Sequence, residues 1–189
     1  MFIIPQTFFT GYQIDPAYLA EVPNGQTSIF LHNSAKQLQT SIICGLVTVE
    51  KSQYEIRSYA FPNILQIKSI PFRVSNDEKY KRIEFFAERQ HFFIAQNRLI
   101  LICCDVRRSI TMYSDQKVES IVYIGNWPPL PQAIWKIMLQ AKQLENDCCV
   151  LGCCRIDDLG VQNDIVYYKP NNKSEVSCKE CNEGFYIFK

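Results

Sequence analysis

The sequence contains few glycines and histidines and lacks several motifs that mark common enzymes. Its seven glycines form neither a G-x-G-x-x-G loop nor a G-x-x-x-x-G-K-[ST] loop, which argues against a Rossmann or P-loop nucleotide site. G-x-S-x-G and H-E-x-x-H motifs are also absent. The two histidines, His32 and His91, adjoin the apolar runs "SIFL" and "FFIA". No catalytic site can therefore be read from a local motif.

Strong net charge and long apolar runs are missing too. The formal net charge of the 189 residues is +1, so we expect no nucleic-acid partner. No run of about 18 apolar residues occurs, which predicts no membrane span. The N-terminus lacks the basic residues of a signal peptide, and Pro5 interrupts its apolar run. These features predict an intracellular, cytoplasmic protein whose nine cysteines are free or metal-bound.

The apolar patterns predict an α+β fold with a mainly antiparallel sheet. Strong helical spacing occurs only over residues 131–146, where Pro131 suits the first turn and apolar residues recur on one face. We expect this amphipathic helix to pack on a face of the sheet, with one or two short extra helices elsewhere. Predicted strands include "SIICGLVTVE", "QYEIRSY", "RLILICCDV", "KVESIVYIG", "CCVLGCCRI" and "GFYIFK". "KSQ" and Gln-Asn links predict two hairpins.

The chain is predicted to form one domain over 1–189, with two distinctive end segments. Residues 1–35 contain no lysine or arginine but several aromatic side chains. One interpretation is an irregular layer packed on the core. The other is an arm that docks on a protein partner, since aromatic residues are frequent in interface hot spots. The second segment, 170–189, contains the sequence "CKEC".

Most cysteines are predicted to be small apolar core residues. Cys44, Cys103 and Cys104 lie in apolar strands, where free cysteine is often buried. In a regular strand Cys149 and Cys153 would share a face but lie about 13 Å apart at about 3.3 Å per residue. A single metal ion could bind both only if "VLG" formed a turn.

The C-terminal cysteines lie in a polar segment and raise the possibility of a structural zinc ion. Cys-x-x-Cys spacing allows two thiolates to bind one tetrahedral ion. Two more ligands would have to come from the 148–154 group, in which Cys148 or Cys154 could substitute. The candidate set is Cys149, Cys153, Cys178 and Cys181. A redox pair of Cys178 and Cys181 is one alternative, although such pairs usually open a helix. The other alternative is that these cysteines bind no metal and have no special role.

Three functional hypotheses remain. The preferred one is a non-enzymatic interaction, assembly or regulatory protein, which needs no cofactor and binds a protein partner through the aromatic N-terminal segment or through a strand edge. The second is a zinc-stabilised binding module. The third is an enzyme whose site is assembled from scattered residues and leaves no local signature. Candidates for that site are Arg107, Arg108, His91 and Cys178.

Overall fold

The structure is a computed structural model of the chain. It describes residues 1–8, 16–63, 65–74, 83–85, 94–95, 97–109, 118–126, 132–154, 166–169, 178–181 and 185–188. His91 lies outside these residues, and only the backbone of Cys178 and Cys181 is described. Within the described part, no helix is both long and apolar enough to cross a membrane.

Two five-stranded sheets account for most of the described structure. In spatial order the first sheet contains β1 (Phe2–Gln6), β2 (Ile42–Glu50), β3 (Gln53–Phe61), β4 (Leu65–Val74) and β5 (Ile83–Phe85). The second contains, in spatial order, β10 (Val166–Tyr168), β9 (Cys149–Cys154), β8 (Ser120–Gly125), β7 (Arg98–Ile102) and β6 (Ile94–Ala95). β11 (Cys178–Cys181) and β12 (Phe185–Phe188) form a separate antiparallel pair.

The prediction of one mainly antiparallel sheet is wrong. β1 runs parallel to β2, and β7, β8 and β9 run parallel to one another. Strands in a parallel sheet are covered on both faces, so their sequences are continuously apolar rather than alternating. The run Leu99–Ile102 has this property, since all four of its residues are fully buried. A 15-residue helix connects β8 to β9, as parallel neighbours require.

The two sheets pack face to face around an inner core. The first sheet contributes Ile43, Val47 and Ile56, while the second contributes apolar residues from β7, β8 and β9. Burial of these side chains is the main force that holds the sheets together.

Helices cover the outer faces of both sheets. The three helices among the described residues are α1 (Pro16–Leu19), α2 (Gln26–Gln37) and α3 (Gln132–Asn146). Leu31 and Ala35 of α2 pack on the first sheet, and Trp135 and Leu139 of α3 pack on the second. The architecture is therefore a four-layer α-β-β-α sandwich. α3 approaches β9 closely, because a Cβ at Gly152 would lie 2.3 Å from Leu139 Cδ1.

Several local predictions are confirmed. The helix predicted over 131–146 is α3, and the β2–β3 hairpin turns at Lys51 and Ser52, which both have positive φ angles. The β6–β7 hairpin pairs Ala95 with Arg98. The N-terminal segment is more regular than expected, because β1, α1 and most of α2 lie within it. Binding of a protein partner there stays a prediction, as does the single domain over 1–189.

Candidate active site

Cys103 occupies an unusual backbone position at the end of a parallel strand. It directly follows β7 and begins a 3-10 turn over Cys103–Arg107. Its φ angle is 42°, in the left-handed region that residues other than glycine rarely adopt. Such strained positions cluster at functional sites, where the surrounding structure holds them. The half-buried Cys103 side chain contacts both the inner core and the core beneath α3.

Asp105 holds this turn in place from within the protein. Its side chain is fully buried, and Oδ2 accepts a hydrogen bond of 2.8 Å from the backbone N–H of Ile102. Its backbone carbonyl accepts a 2.9 Å hydrogen bond from the N–H of Arg108. The carboxylate therefore braces the residue before Cys103 and the carbonyl braces the end of the turn, which explains how the strained cysteine backbone is maintained.

The first sheet supplies Gln6 and Thr7 to the same edge. Both side chains are buried, with 4% of each residue exposed. The N–H of Thr7 donates a 2.9 Å hydrogen bond to the carbonyl of Gly45, and Gln6 pairs with Gly45 in the β1–β2 register. A Cβ at Gly45 would lie 3.3 Å from both Cβ and Cγ of Gln6. The absence of a side chain at Gly45 therefore leaves room for the Gln6 side chain.

A buried hydrogen bond joins the two sheets at this edge. Asn126, the residue after β8, donates from Nδ2 to Thr7 Oγ1 at 2.5 Å. In the second sheet, Ile102 of β7 pairs with Ile124 of β8, so Cys103 and Asn126 follow the carboxyl ends of neighbouring parallel strands. Cys103, Asn126, Thr7 and Gln6 are thereby brought to one edge of the sandwich. The carboxyl ends of parallel strands are a common location for binding sites in α/β proteins.

A row of residues across the first sheet extends this site. Gln6 pairs with Gly45, Gly45 with Ser58, and Ser58 with Lys68. Directly opposed residues of neighbouring strands lie on one face of a sheet. Side chains alternate between the two faces along β3, so Ser58 lies on the same face as Ile56, which belongs to the inner core. Only the backbone position of Lys68 is described. Gln6, Gly45 and Ser58 therefore face the gap between the two sheets.

Two atoms of this row are buried without a hydrogen-bond partner among the described residues. They are Oε1 of Gln6 and Oγ of Ser58. Buried polar atoms nearly always have a partner in folded proteins, so each exception calls for an explanation. A ligand with polar hydrogens would supply the missing partner for Gln6.

The cysteines near this edge differ in their capacity to react. Burial raises the pKa of Cys153 to about 12, and its thiol donates to the carbonyl of Ile3 at 3.7 Å. Burial similarly raises the pKa of Cys148 to about 11. Since the thiolate is the nucleophilic form, these two thiols are inert at neutral pH. Cys103 is only half-buried and lies at the edge, which makes it the candidate nucleophile.

Two of the four candidate residues for a scattered enzyme site lie near Cys103 in the sequence. Arg107 is exposed at the end of the 3-10 turn, and Arg108 follows it, so both lie close to Cys103 along the chain. Cys103 itself was assigned to the core, and that interpretation missed its position after the strand. The available signal was the sequence "ICCDVRR", in which the cysteines mark the change from an apolar strand to a polar turn.

The zinc hypothesis is not supported. Cys149 and Cys153 pair with Ser120 and Ile124 in an unbroken register, so they lie about 13 Å apart along an extended strand. Zn–S bonds are about 2.3 Å long, so one ion cannot bind both. Cys178 and Cys181 lie in β11 rather than in a turn. The described part of the chain contains no group of three or more His, Cys, Asp or Glu that could hold a metal ion.

Comparison with other proteins links the chain to amidases, although no family model matches it. The Omega-amidase YafV of Yersinia enterocolitica is 21% identical over 166 residues, which cover 82% of this chain. The matched region is 62% of that relative, so the chain spans less than two thirds of its length. The Omega-amidase YafV of Escherichia coli is 31% identical over 62 residues, or 33% of this chain and 24% of that relative.

Solved structures show the same sandwich. A CN-hydrolase superfamily protein of Xanthomonas campestris, with an arsenic adduct in its active site, has a TM-score of 0.61 at 18% identity. The match covers 88% of this chain and 69% of that one. A mutant of a Nesterenkonia amidase, with the acetamide moiety of fluoroacetamide on its active-site cysteine, has a TM-score of 0.56 at 14% identity. That match covers 87% of this chain and 65% of the amidase. The fold is that of the CN-hydrolase, or nitrilase, superfamily.

These similarities overturn the prediction of a non-enzymatic interaction protein. The relatives detected by sequence are amidases, which are hydrolytic enzymes. Amidases also occur among the structures that share the fold.

Proposed function

We propose that the protein cleaves the carbon–nitrogen bond of a carboxamide, with Cys103 as the nucleophile. The observation that carries this proposal is the left-handed Cys103, held at the end of a parallel strand beside the edge that contains Gln6 and Asn126. The Omega-amidase relatives and the active-site cysteine of the Nesterenkonia amidase support the same reaction class.

The proposed reaction has two steps. In the first, Cys103 Sγ attacks the carbonyl carbon, forming an S–C bond, and the C–N bond then breaks. The thiol proton ends on the leaving nitrogen, which departs as ammonia when the substrate is a primary amide. In the second step, water attacks the thioester, releasing a carboxylic acid and restoring the thiol. Covalent catalysis of this kind replaces one difficult step by two easier ones.

The proposed substrate is a small primary carboxamide. The name of the Yersinia relative supports an amide as the group that is cleaved. The reaction consumes only the amide and water, so the proposal requires no metal or organic cofactor. It does require a reduced thiol, which agrees with the cytoplasmic location predicted from the sequence.

Ammonia release from short primary amides tests this proposal. Wild type should release ammonia from at least one such amide, and Cys103→Ala should abolish the release because the nucleophile is gone. Cys149→Ala is the matched control, because Cys149 is also half-buried but lies in β9, where it accepts a 3.4 Å hydrogen bond from Tyr167.

Covalent labelling gives a second readout that does not depend on turnover. Chloroacetamide should alkylate Cys103 faster than Cys149, as measured by peptide mass spectrometry after a short exposure. Equal labelling of the two cysteines, or ammonia release that persists in the Cys103→Ala variant, would show that Cys103 is not the nucleophile.

A further inference from the structure

Gln6 places in the candidate site a hydrogen-bond acceptor that has no partner among the described residues. The residue is 4% exposed, and its Oε1 atom is buried without a partner among the residues that the structure describes. Its side chain packs over Gly45, where any Cβ would lie 3.3 Å from its Cβ and Cγ atoms. Packing over Gly45 therefore holds the Gln6 side chain in place.

The next side chain along the row, that of Ser58, adds a second polar atom to the candidate site. Ser58 is fully buried, and its Oγ also has no partner within the described regions. Gly45, which lies between Gln6 and Ser58, has no side chain. The carbonyl oxygen of Gln6 and the hydroxyl of Ser58 therefore belong to side chains on the same face of the first sheet.

The chemistry of Gln6 limits what it can do. An amide side chain offers a carbonyl oxygen as acceptor but does not take up a proton near neutral pH, whereas a carboxylate of the same shape would. The nearby carboxylate of Asp105 already accepts the N–H of Ile102. The uncharged Gln6 side chain therefore cannot take the proton of the Cys103 thiol as a carboxylate would.

We infer that Gln6 is a specificity-determining residue that recognises the substrate's amide and does not accept the proton of Cys103. Its Oε1 accepts a hydrogen bond from the NH2 group of a bound primary carboxamide. This inference rests on the proposed function. It implies that the site selects amides over esters of the same size, because an ester has no N–H to donate. It also implies that a carboxylate at position 6 would accelerate the reaction.

Alkylation by a matched amide and ester tests the recognition. Chloroacetamide and methyl chloroacetate both alkylate thiols: the S–C bond forms, chloride leaves, and the thiol proton passes to solvent. The amide-to-ester ratio of rates at Cys103 is divided by the same ratio for glutathione, which removes the intrinsic reactivity of the reagents. For wild type this normalised ratio should be about 10, which is the change in rate expected from one hydrogen bond.

Three variants separate recognition from proton transfer. Gln6→Met has a similar shape without the acceptor, so its normalised ratio should fall to about unity. Gln6→Asn withdraws the amide by one methylene and should lower the ratio in the same direction. It serves as the second test if the methionine variant does not fold. Gln6→Glu keeps an acceptor oxygen, so it should retain the ratio, and it should release ammonia faster than wild type because a carboxylate can take the thiol proton.

Failure of this inference can be told from failure of the proposed function. Fast labelling of Cys103 with an unchanged ratio in a folded Gln6→Met or Gln6→Asn variant would refute recognition by Gln6. A folded Gln6→Glu variant that releases ammonia no faster than wild type would refute the proton-transfer part. If Cys103 is labelled no faster than Cys149 by either reagent, it is the proposed function that fails. Circular dichroism of each variant establishes that it is folded.

Discussion

The hydrogen bond between Asn126 and Thr7 should contribute measurably to the stability of the protein. It joins the two sheets at the candidate site, and both residues are buried, with 7% and 4% exposed. A neutral hydrogen bond contributes about 0.5–1.5 kcal/mol net, while a buried group left without its partner costs about 1–3 kcal/mol. Thr7→Val and Asn126→Ala should therefore each lower the free energy of unfolding by about 1–3 kcal/mol.

The choice of valine at position 7 isolates the hydroxyl group. Thr7 has a φ angle of 53°, and this backbone conformation is strained for any β-branched residue. Threonine and valine are both β-branched and of similar size, so the strain is present in both proteins and cancels in the comparison. What remains is the loss of the acceptor atom for Asn126 Nδ2.

A double-mutant cycle measures the interaction itself. Urea unfolding of wild type, the two single variants and the double variant should give a coupling energy of about 1 kcal/mol, because the residues are in direct contact. The single variants should also melt about 2–4 °C lower for each kcal/mol lost, as expected for a chain of this size. A coupling energy below about 0.3 kcal/mol would mean that the two losses are independent, and that the hydrogen bond does not hold the sheets together.

Two further predictions concern packing and alkaline pH. Gly152→Ala should destabilise the protein by about 1–3 kcal/mol in urea unfolding, because the new Cβ would lie 2.3 Å from Leu139 Cδ1. In the double variant with Leu139→Ala, the loss of unfolding free energy should be smaller than the sum of the two single losses. A loss equal to that sum would contradict the proposed clash. Burial raises the pKa of Cys44 and Cys153 from about 9 to about 12, so the stability they confer is complete below pH 9. It should fall by about 1.4 kcal/mol per pH unit for each thiol as pH rises from 9 to 12, and Cys44→Ala should reduce the slope of unfolding free energy against pH; an unchanged slope would show that Cys44 does not titrate as described.

Local patterns were enough to predict individual elements. The α3 helix follows from the spacing of its apolar residues, and the β2–β3 hairpin from two strand-like runs joined by a short link. These features depend on residues within about four positions of each other, or on strands adjacent in sequence.

The pairing of the parallel strands could not be predicted in the same way. Leu99–Ile102 is buried on both faces, and nothing in that run identifies β8 as its second neighbour. Continuous apolar runs fit a buried strand in either orientation. The β6–β7 hairpin could be recognised in the sequence, and it suggested an antiparallel sheet. Among the described strands, however, β7 pairs antiparallel with β6 alone and runs parallel to β8.

The candidate site was less accessible still. Thr7 and Asn126 are separated by 119 positions, and Gln6, Gly45 and Ser58 come from three different strands. Neither glutamine nor serine suggests a site when read alone, and Cys103 lies in a run that resembles core. What distinguishes these residues is a positive φ angle at Thr7 and Cys103 and buried atoms without described partners at Gln6 and Ser58, which only the folded arrangement reveals.

The separation of Thr7 and Asn126 along the chain also bears on synthesis. β1 to β4 are complete once Val74 has been made, whereas Cys103 and Asn126 come later. During translation, at about 5–20 residues per second, the segments that hold Gln6 and Ser58 are therefore made several seconds before Cys103 and Asn126 can join them. A nascent chain thus has one half of the candidate site without the other, and the site cannot be completed until both sheets have emerged from the ribosome.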